Sequence, residues 1–152
     1  MSNDFPLPNL ESDQIRPFYE GAERGELVVP RCAGCARVNW YPRDSCRYCD
    51  GGDLPWTVVS GEGALFSWAV VARAFVPQFA ERVPYVAALV SLSEAPEVRI
   101  VSNVIECEPS TLEIGMPVHA VFRRVEFPDV KGSLTAPFFV PGEGMADPEE
   151  TN

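Results

Sequence analysis

Four cysteines crowd into eighteen positions of a 152-residue chain, in the run PRCAGCARVNWYPRDSCRYCDG from Pro30 to Gly51. Cys32 and Cys35 form one C-x-x-C pair, Cys46 and Cys49 a second, with ten residues between the pairs. Zinc takes four soft ligands in a tetrahedron. A C-x-x-C turn presents two sulfurs to one ion, and two such turns face to face complete the set. LVVPRC before the first pair and RVNWYP after it are β-prone and read as a short hairpin. Gly34 sits inside the first knuckle, and Asp50, Gly51 and Gly52 follow the second, where positive φ is expected. A thioredoxin-like dithiol needs one such pair beside a βαβ unit, which is not visible. Two disulfides need an oxidising compartment. A single rubredoxin-like iron stays open on sequence grounds. With four thiolates bound there is no free coordination position, so the metal, Zn2+ in the main reading, is expected to be structural.

Charge narrows the partners. Twelve basic residues face 22 acidic ones, for a formal charge of −10. A tetrathiolate site with a divalent ion adds two more negative charges. Nucleic-acid binders need clustered Lys and Arg to displace phosphate counterions, so nucleic acid is disfavoured as a partner. The opening MSNDFPLPNL has neither the basic nor the apolar region of a secretion signal. No apolar run approaches the ~20 residues that span a bilayer. Five cysteines, an odd number, fit poorly with a disulfide framework. A reducing cytoplasmic setting is expected.

Along the chain, residues 1–25 read as an extension with one or two short helices between about Ser12 and Arg24. Pro17 suits a first turn, Phe18, Tyr19 and Ala22 share a face, and Gly25 is a stop. Residues 26–55 form the metal ribbon. Residues 56–141 carry five or six short strands: Ala64–Val71, Tyr85–Leu92, Val98–Glu106 after a turn at Ala95-Pro96, Pro117–Val125 after a turn at Gly115, and a last strand in LTAPFFVPG. The prolines of that last segment place it at an edge. Short antiparallel strands with Gly-rich turns indicate a small closed or nearly closed barrel, so the fold class is mainly β. Residues 142–152 read as a disordered acidic tail.

FYEGAERGEL, the paired cysteines, GEGALFSW, VPYVAALVSL, EIGMPV and PFFVPG together resemble the DUF35 family of zinc-ribbon plus OB-fold proteins, over about Phe18 to Pro141. SEAPEVRI departs from that family's glycine-containing turn at Ala95-Pro96. The resemblance implies a rubredoxin-like zinc ribbon and a five- to six-stranded OB-fold barrel. It also implies a non-catalytic accessory subunit of a thiolase-superfamily enzyme: a thiolase, an acyltransferase or a thiolase-like aldolase, as in steroid side-chain degradation. Acyl-CoA would then lie at or near the shared interface, and catalysis would belong to the larger subunit.

The residues themselves offer no catalytic constellation. His119 is a lone strand histidine without an orienting group in view. Cys107 lies between Glu106 and Glu108, which oppose thiolate formation. Arg123, Arg124 and Lys131 read first as a solvated strand end paired with Glu126 and Asp129, with a CoA phosphate or an acidic patch on a partner as the competing reading. The expected partner contacts are Phe138 and Phe139, one ring turned inward and the other outward, with Phe75 and Phe79 on the long loop RAFVPQFAERVP. Residues binding a cofactor other than the metal are not assigned. Two other functions compete with the accessory role. One is a single-stranded nucleic-acid binder using Trp56, Phe66 and Trp68 as a stacking platform. The other is a stand-alone acyl-CoA-binding module.

Overall fold

The structure, a computed structural model, describes residues 7–142. The acidic tail beyond Gly142 and the first residues of the lead lie outside the described residues. One helix, α1 (Arg16–Glu23), follows a run of turns, so the extension holds a single helix among the described residues. Pro17 lies in its first turn, where a missing N–H costs nothing. Gly25, at φ +74°, ends it. Its N–H bonds Ala22 O at 3.0 Å and the Glu26 N–H bonds Gly21 O at 2.9 Å, a pairing that satisfies the last carbonyls. Phe18, Gly21 and Ala22 are buried. Phe18 packs on Trp40 at 5.0 Å between ring centroids and meets Tyr19 edge-on at 5.3 Å.

The hairpin expected from LVVPRC and RVNWYP is reduced to a single bridge, Arg31 to Val38. Strand β1 (Leu27–Pro30) instead pairs along its whole length with β2 (Trp56–Val59), from beyond the second knuckle. The reason is burial. All four β1 residues are buried, and the full ladder to β2 satisfies backbone groups that one bridge could not. The chain thus enters and leaves the ribbon side by side.

Five strands close a barrel in the order β3-β4-β5-β7-β6. They are β3 (Glu62–Val71), β4 (Tyr85–Leu92), β5 (Ala95–Val104), β6 (Pro117–Val125) and β7 (Leu134–Pro141). Every second β4 residue is buried, the period-2 signature of a strand with one face on a core. The β4–β5 turn is Ser93-Glu94, with Leu92 opposite Ala95. Ala95-Pro96 therefore begins the strand, and a register shift after Ser91 absorbs the extra residues.

The last strand is not at an edge. It pairs with β6 from Val118↔Pro141 to Val125↔Leu134 and closes the barrel against β5 by one parallel bridge, Val104↔Phe139. The prolines are tolerated for a geometric reason. The Gly142 N–H bonds Pro117 O in β6, whereas Phe139 O accepts the Ile105 N–H beside β5. Alternation along the strand then turns Pro137 and Pro141 toward β5, where the ladder is almost absent, so no hydrogen bond is lost. The hydroxyl of Ser102 donates to Pro137 O at 2.9 Å across the same seam.

One core runs through ribbon and barrel. Phe18, Val29, Val38 and Val59 join Leu65, Val90, Ile100, Val118 and Phe139 in a single cluster. Helix α1 packs on both β1 and β7. Gly63 marks the tightest strand approach. A β-carbon there would sit 2.5 Å from Ser91 O and 2.8 Å from Val90 Cγ1. Gly63→Ala should therefore destabilise the chain by about 1–3 kcal/mol in urea unfolding. Gly52→Ala, with nothing within 4 Å, should stay within about 0.5 kcal/mol. Equal midpoints for the two variants would contradict this packing.

Candidate metal centre

The two knuckles are near copies. The Ala36 N–H bonds Cys32 O at 2.8 Å, and the Asp50 N–H bonds Cys46 O at 2.9 Å. The Cys32 N–H bonds Arg37 O at 2.9 Å, and the Cys46 N–H bonds Gly51 O at 2.8 Å. Each turn closes on one left-handed residue, Ala36 at φ 62° and Asp50 at φ 59°. Positive φ thus falls on Asp50, as the sequence led us to expect, but on Ala36 in the first knuckle and not on Gly34, Gly51 or Gly52. Gly51 serves space instead. A β-carbon there would lie 3.3 Å from Cys49 Sγ and 3.5 Å from Cys32 Sγ.

The turns bring the sulfurs of Cys32, Cys35, Cys46 and Cys49 within 4.8 Å of one another. Cys32 Sγ is 3.6 Å from Cys49 Sγ, and Cys35 Sγ is 3.6 Å from Cys46 Sγ. A tetrahedral ion with metal–sulfur bonds near 2.3 Å sets its ligands about 3.8 Å apart. The donor set and its spacing fit such an ion. Disulfide bonding does not describe it, since all five cysteines are free and bonded sulfurs lie about 2.05 Å apart. Cys32 and Cys46 are buried, Cys35 is half-buried and Cys49 is exposed.

Thiols this close do not ionise independently. Burial works against the Cys46 thiolate, but N–H donors from Tyr48, Asn39 and Cys49 outweigh it and lower the thiol to about 6. The Gly51 N–H favours a Cys49 thiolate, yet contact with the Cys32 and Cys35 sulfurs and burial prevail and push it up to about 12.

Asn39 is the residue that sequence reading missed. It is fully buried. Its amide nitrogen donates to Arg37 O at 3.2 Å and to Cys46 Sγ at 3.4 Å, while its Oδ1 accepts the Arg47 N–H at 2.9 Å. It stitches the second knuckle to the chain leaving the first. A polar residue in the apolar run RVNWYP was the available signal.

The aromatic residues expected at a partner surface divide. Phe139 is fully buried in the barrel core and cannot meet a partner. Its inward turn follows from strand alternation, which leaves Phe138 outside. Phe138 and Phe79 line one cleft of about 440 Å3 with Tyr85, Ile105 and Phe127. Phe79 packs on Tyr85 and Phe127 at 5.7 and 5.3 Å. Phe75 is 90% exposed. Trp56 lies in the β1–β2 ribbon sheet, whereas Phe66 and Trp68 lie in barrel strand β3, and Trp56 and Trp68 line separate clefts. They do not form one platform.

Cys107 is half-buried, and burial together with the Glu108 carboxylate pushes its thiol up, away from nucleophile chemistry. His119 is a half-buried β6 residue opposite Glu62 and Val140. Arg123 pairs with Glu106 at 2.8 Å and Arg124 with Glu126 at 2.7 Å, so this strand end is paired, with Glu106 in the place expected of Asp129. Lys131 is exposed.

A β-barrel of five strands beside a two-knuckle, four-thiol ribbon defines a zinc-ribbon and OB-fold protein. Two family models agree: the rubredoxin-like zinc ribbon domain of ChsH2 matches residues 20–55, and the C-terminal OB-fold domain of ChsH2 matches residues 56–123. A DUF35 domain-containing scaffold protein of Methanocaldococcus jannaschii is 32% identical over 122 residues, covering 80% of this chain and 84% of that one. The chain belongs to the DUF35 family. A probable enoyl-CoA hydratase alpha subunit of Thermomonospora curvata is 32% identical over 90% of this chain, which spans 40% of that protein. A 3-oxo-4,17-pregnadiene-20-carboxyl-CoA hydratase alpha subunit of Mycobacterium tuberculosis is 34% identical over 74% of this chain, which spans 34% of it. Among solved structures, a chain of an Ltp2-ChsH2(DUF35) aldolase superposes with a TM-score of 0.73 at 32% identity, covering 89% of this chain and 98% of that one.

Asn39→Leu keeps the volume but leaves the Arg47 N–H without its partner and takes one donor each from Cys46 Sγ and Arg37 O, which keeps the Cys32 N–H. It should cost about 2 kcal/mol or more in denaturant unfolding and speed loss of the bound metal to a chelator. A variant as stable as the parent, with unchanged metal release, would remove Asn39 from the design of the site.

Proposed function

We propose that this chain is a non-catalytic accessory subunit of a thiolase-superfamily enzyme acting on acyl-CoA thioesters, with a structural zinc ion held by Cys32, Cys35, Cys46 and Cys49. The observation that carries the reading is the match to the aldolase's DUF35 chain, which this chain covers almost end to end at 32% identity. The CoA-ester names of two further relatives support acyl-CoA as the substrate class and a steroid side chain as one such acyl group.

The chain's own residues support a holding role. Zinc would supply a crosslink between the two knuckles and no open coordination position. Helix α1 and the β1–β2 pair then carry that crosslink into the barrel core. Phe75, Phe79 and Phe138 offer apolar contact area to the large subunit. Five free thiols fit a reducing, cytoplasmic setting. No helix among the described residues is long and apolar enough to cross a membrane.

Co-expression with a thiolase-superfamily subunit from the same source tests this directly. The two chains should co-elute on size exclusion, and thioester turnover should require both. Turnover of an acyl-CoA by this chain alone, or failure of the two to co-elute, would contradict the accessory role.

A further inference from the structure

We propose that the cleft between the second knuckle and the start of β5 is a phosphate site that seats the phosphorylated nucleotide end of a CoA thioester. The identity of the ligand rests on the accessory-subunit reading; the anion chemistry rests on the cleft. The cleft has a volume of about 480 Å3 and is lined by Arg43 and Arg47 from the ribbon and Arg99 from the barrel, with Trp40, Tyr41 and Tyr48. One carboxylate, Glu97, shares it. In a chain of formal charge −10, three guanidinium groups around one cleft are a local reversal of sign. Arg16, Arg24, Arg123 and Arg124 are ion-paired elsewhere. Among the described residues, Arg43, Arg47 and Arg99 have no carboxylate oxygen within 4.0 Å.

One of the three guanidinium groups, that of Arg99, is held in place. Arg99 stacks on Phe66 at 4.1 Å and donates to Val98 O at 3.3 Å and to Pro96 O. Arg47 is fixed at its backbone only, where the N–H bonds Asn39 Oδ1 at 2.9 Å. Pre-placed guanidinium groups bind phosphate oxygens in pairs and lose little entropy in doing so. A tetrathiolate centre attracts cations and accounts for Arg47 beside Cys46. It does not account for Arg99 on a barrel strand.

The aromatic residues add a second requirement on the ligand. Tyr41 is 61% exposed and Tyr48 39% exposed, and Arg37 lies 4.7 Å over the Tyr48 ring. Exposed rings beside guanidinium groups favour a planar base attached to phosphate over phosphate alone.

Calorimetric titration of the metal-loaded full chain with adenosine 3′,5′-bisphosphate tests the site, with inorganic phosphate and a short single-stranded oligonucleotide as the other probes. The bisphosphate should bind, weaken as salt rises, and bind more tightly than phosphate. Arg43→Ala with Arg47→Ala should weaken it by about tenfold or more. Arg99→Gln, remote from the thiols, should do the same with metal content unchanged, and decides the matter if the double variant loses its metal. No binding at millimolar bisphosphate, affinity untouched by Arg99→Gln, or tighter binding of the oligonucleotide would overturn the proposal. The titration needs no large subunit, so failure to co-elute with one leaves its outcome unaffected and strikes only the accessory role.

Discussion

Four sulfur atoms within 4.8 Å of one another are the constraint on which the ribbon depends. Thiols so placed repel once ionised and gain little as neutral groups, so an arrangement of this kind is stable when a cation sits among them. Neither knuckle has a core of its own. Each is a single turn closed by two backbone hydrogen bonds and one left-handed residue. What joins them is the shared sulfur cage and the amide of Asn39, which bonds to both sides.

The cage matters beyond the ribbon because the ribbon is not an appendage. Its strand β1 is buried along its length, and α1 rests on β1 and β7 together. Val29, Val38 and Val59 belong to the same apolar cluster as the barrel residues Leu65 and Phe139. The barrel has its own closed wall of five strands, so a ribbon built on its thiols and a barrel built on its strands share one core.

Local pattern was legible in the sequence, and long-range pairing was not. The paired C-x-x-C spacing located the cage, the β-prone apolar run YVAALVSL located β4 to the residue, and Pro17 with Gly25 bracketed α1. The partner of β1 is not legible locally, because RVNWYP is adjacent and equally β-prone, whereas β2 lies beyond both knuckles. Pro137 and Pro141 argued for an edge strand. Their missing N–H groups face the one seam of the barrel where β5 and β7 scarcely pair, a fact of topology that composition does not carry. Phe138 and Phe139 were separable only as one in and one out. The structure shows which, and it brings Phe138 beside Phe79. The Arg cleft is not legible in the sequence because Arg99 lies 52 positions from Arg47 in the chain, and only the fold brings the two to one cleft.

X-ray absorption at the zinc edge, with elemental analysis of protein prepared without chelators, tests the central claim most directly. The account requires one zinc ion per chain with four sulfur neighbours near 2.3 Å. Protein that is folded and free of metal, or a metal ligated by oxygen and nitrogen, would contradict it.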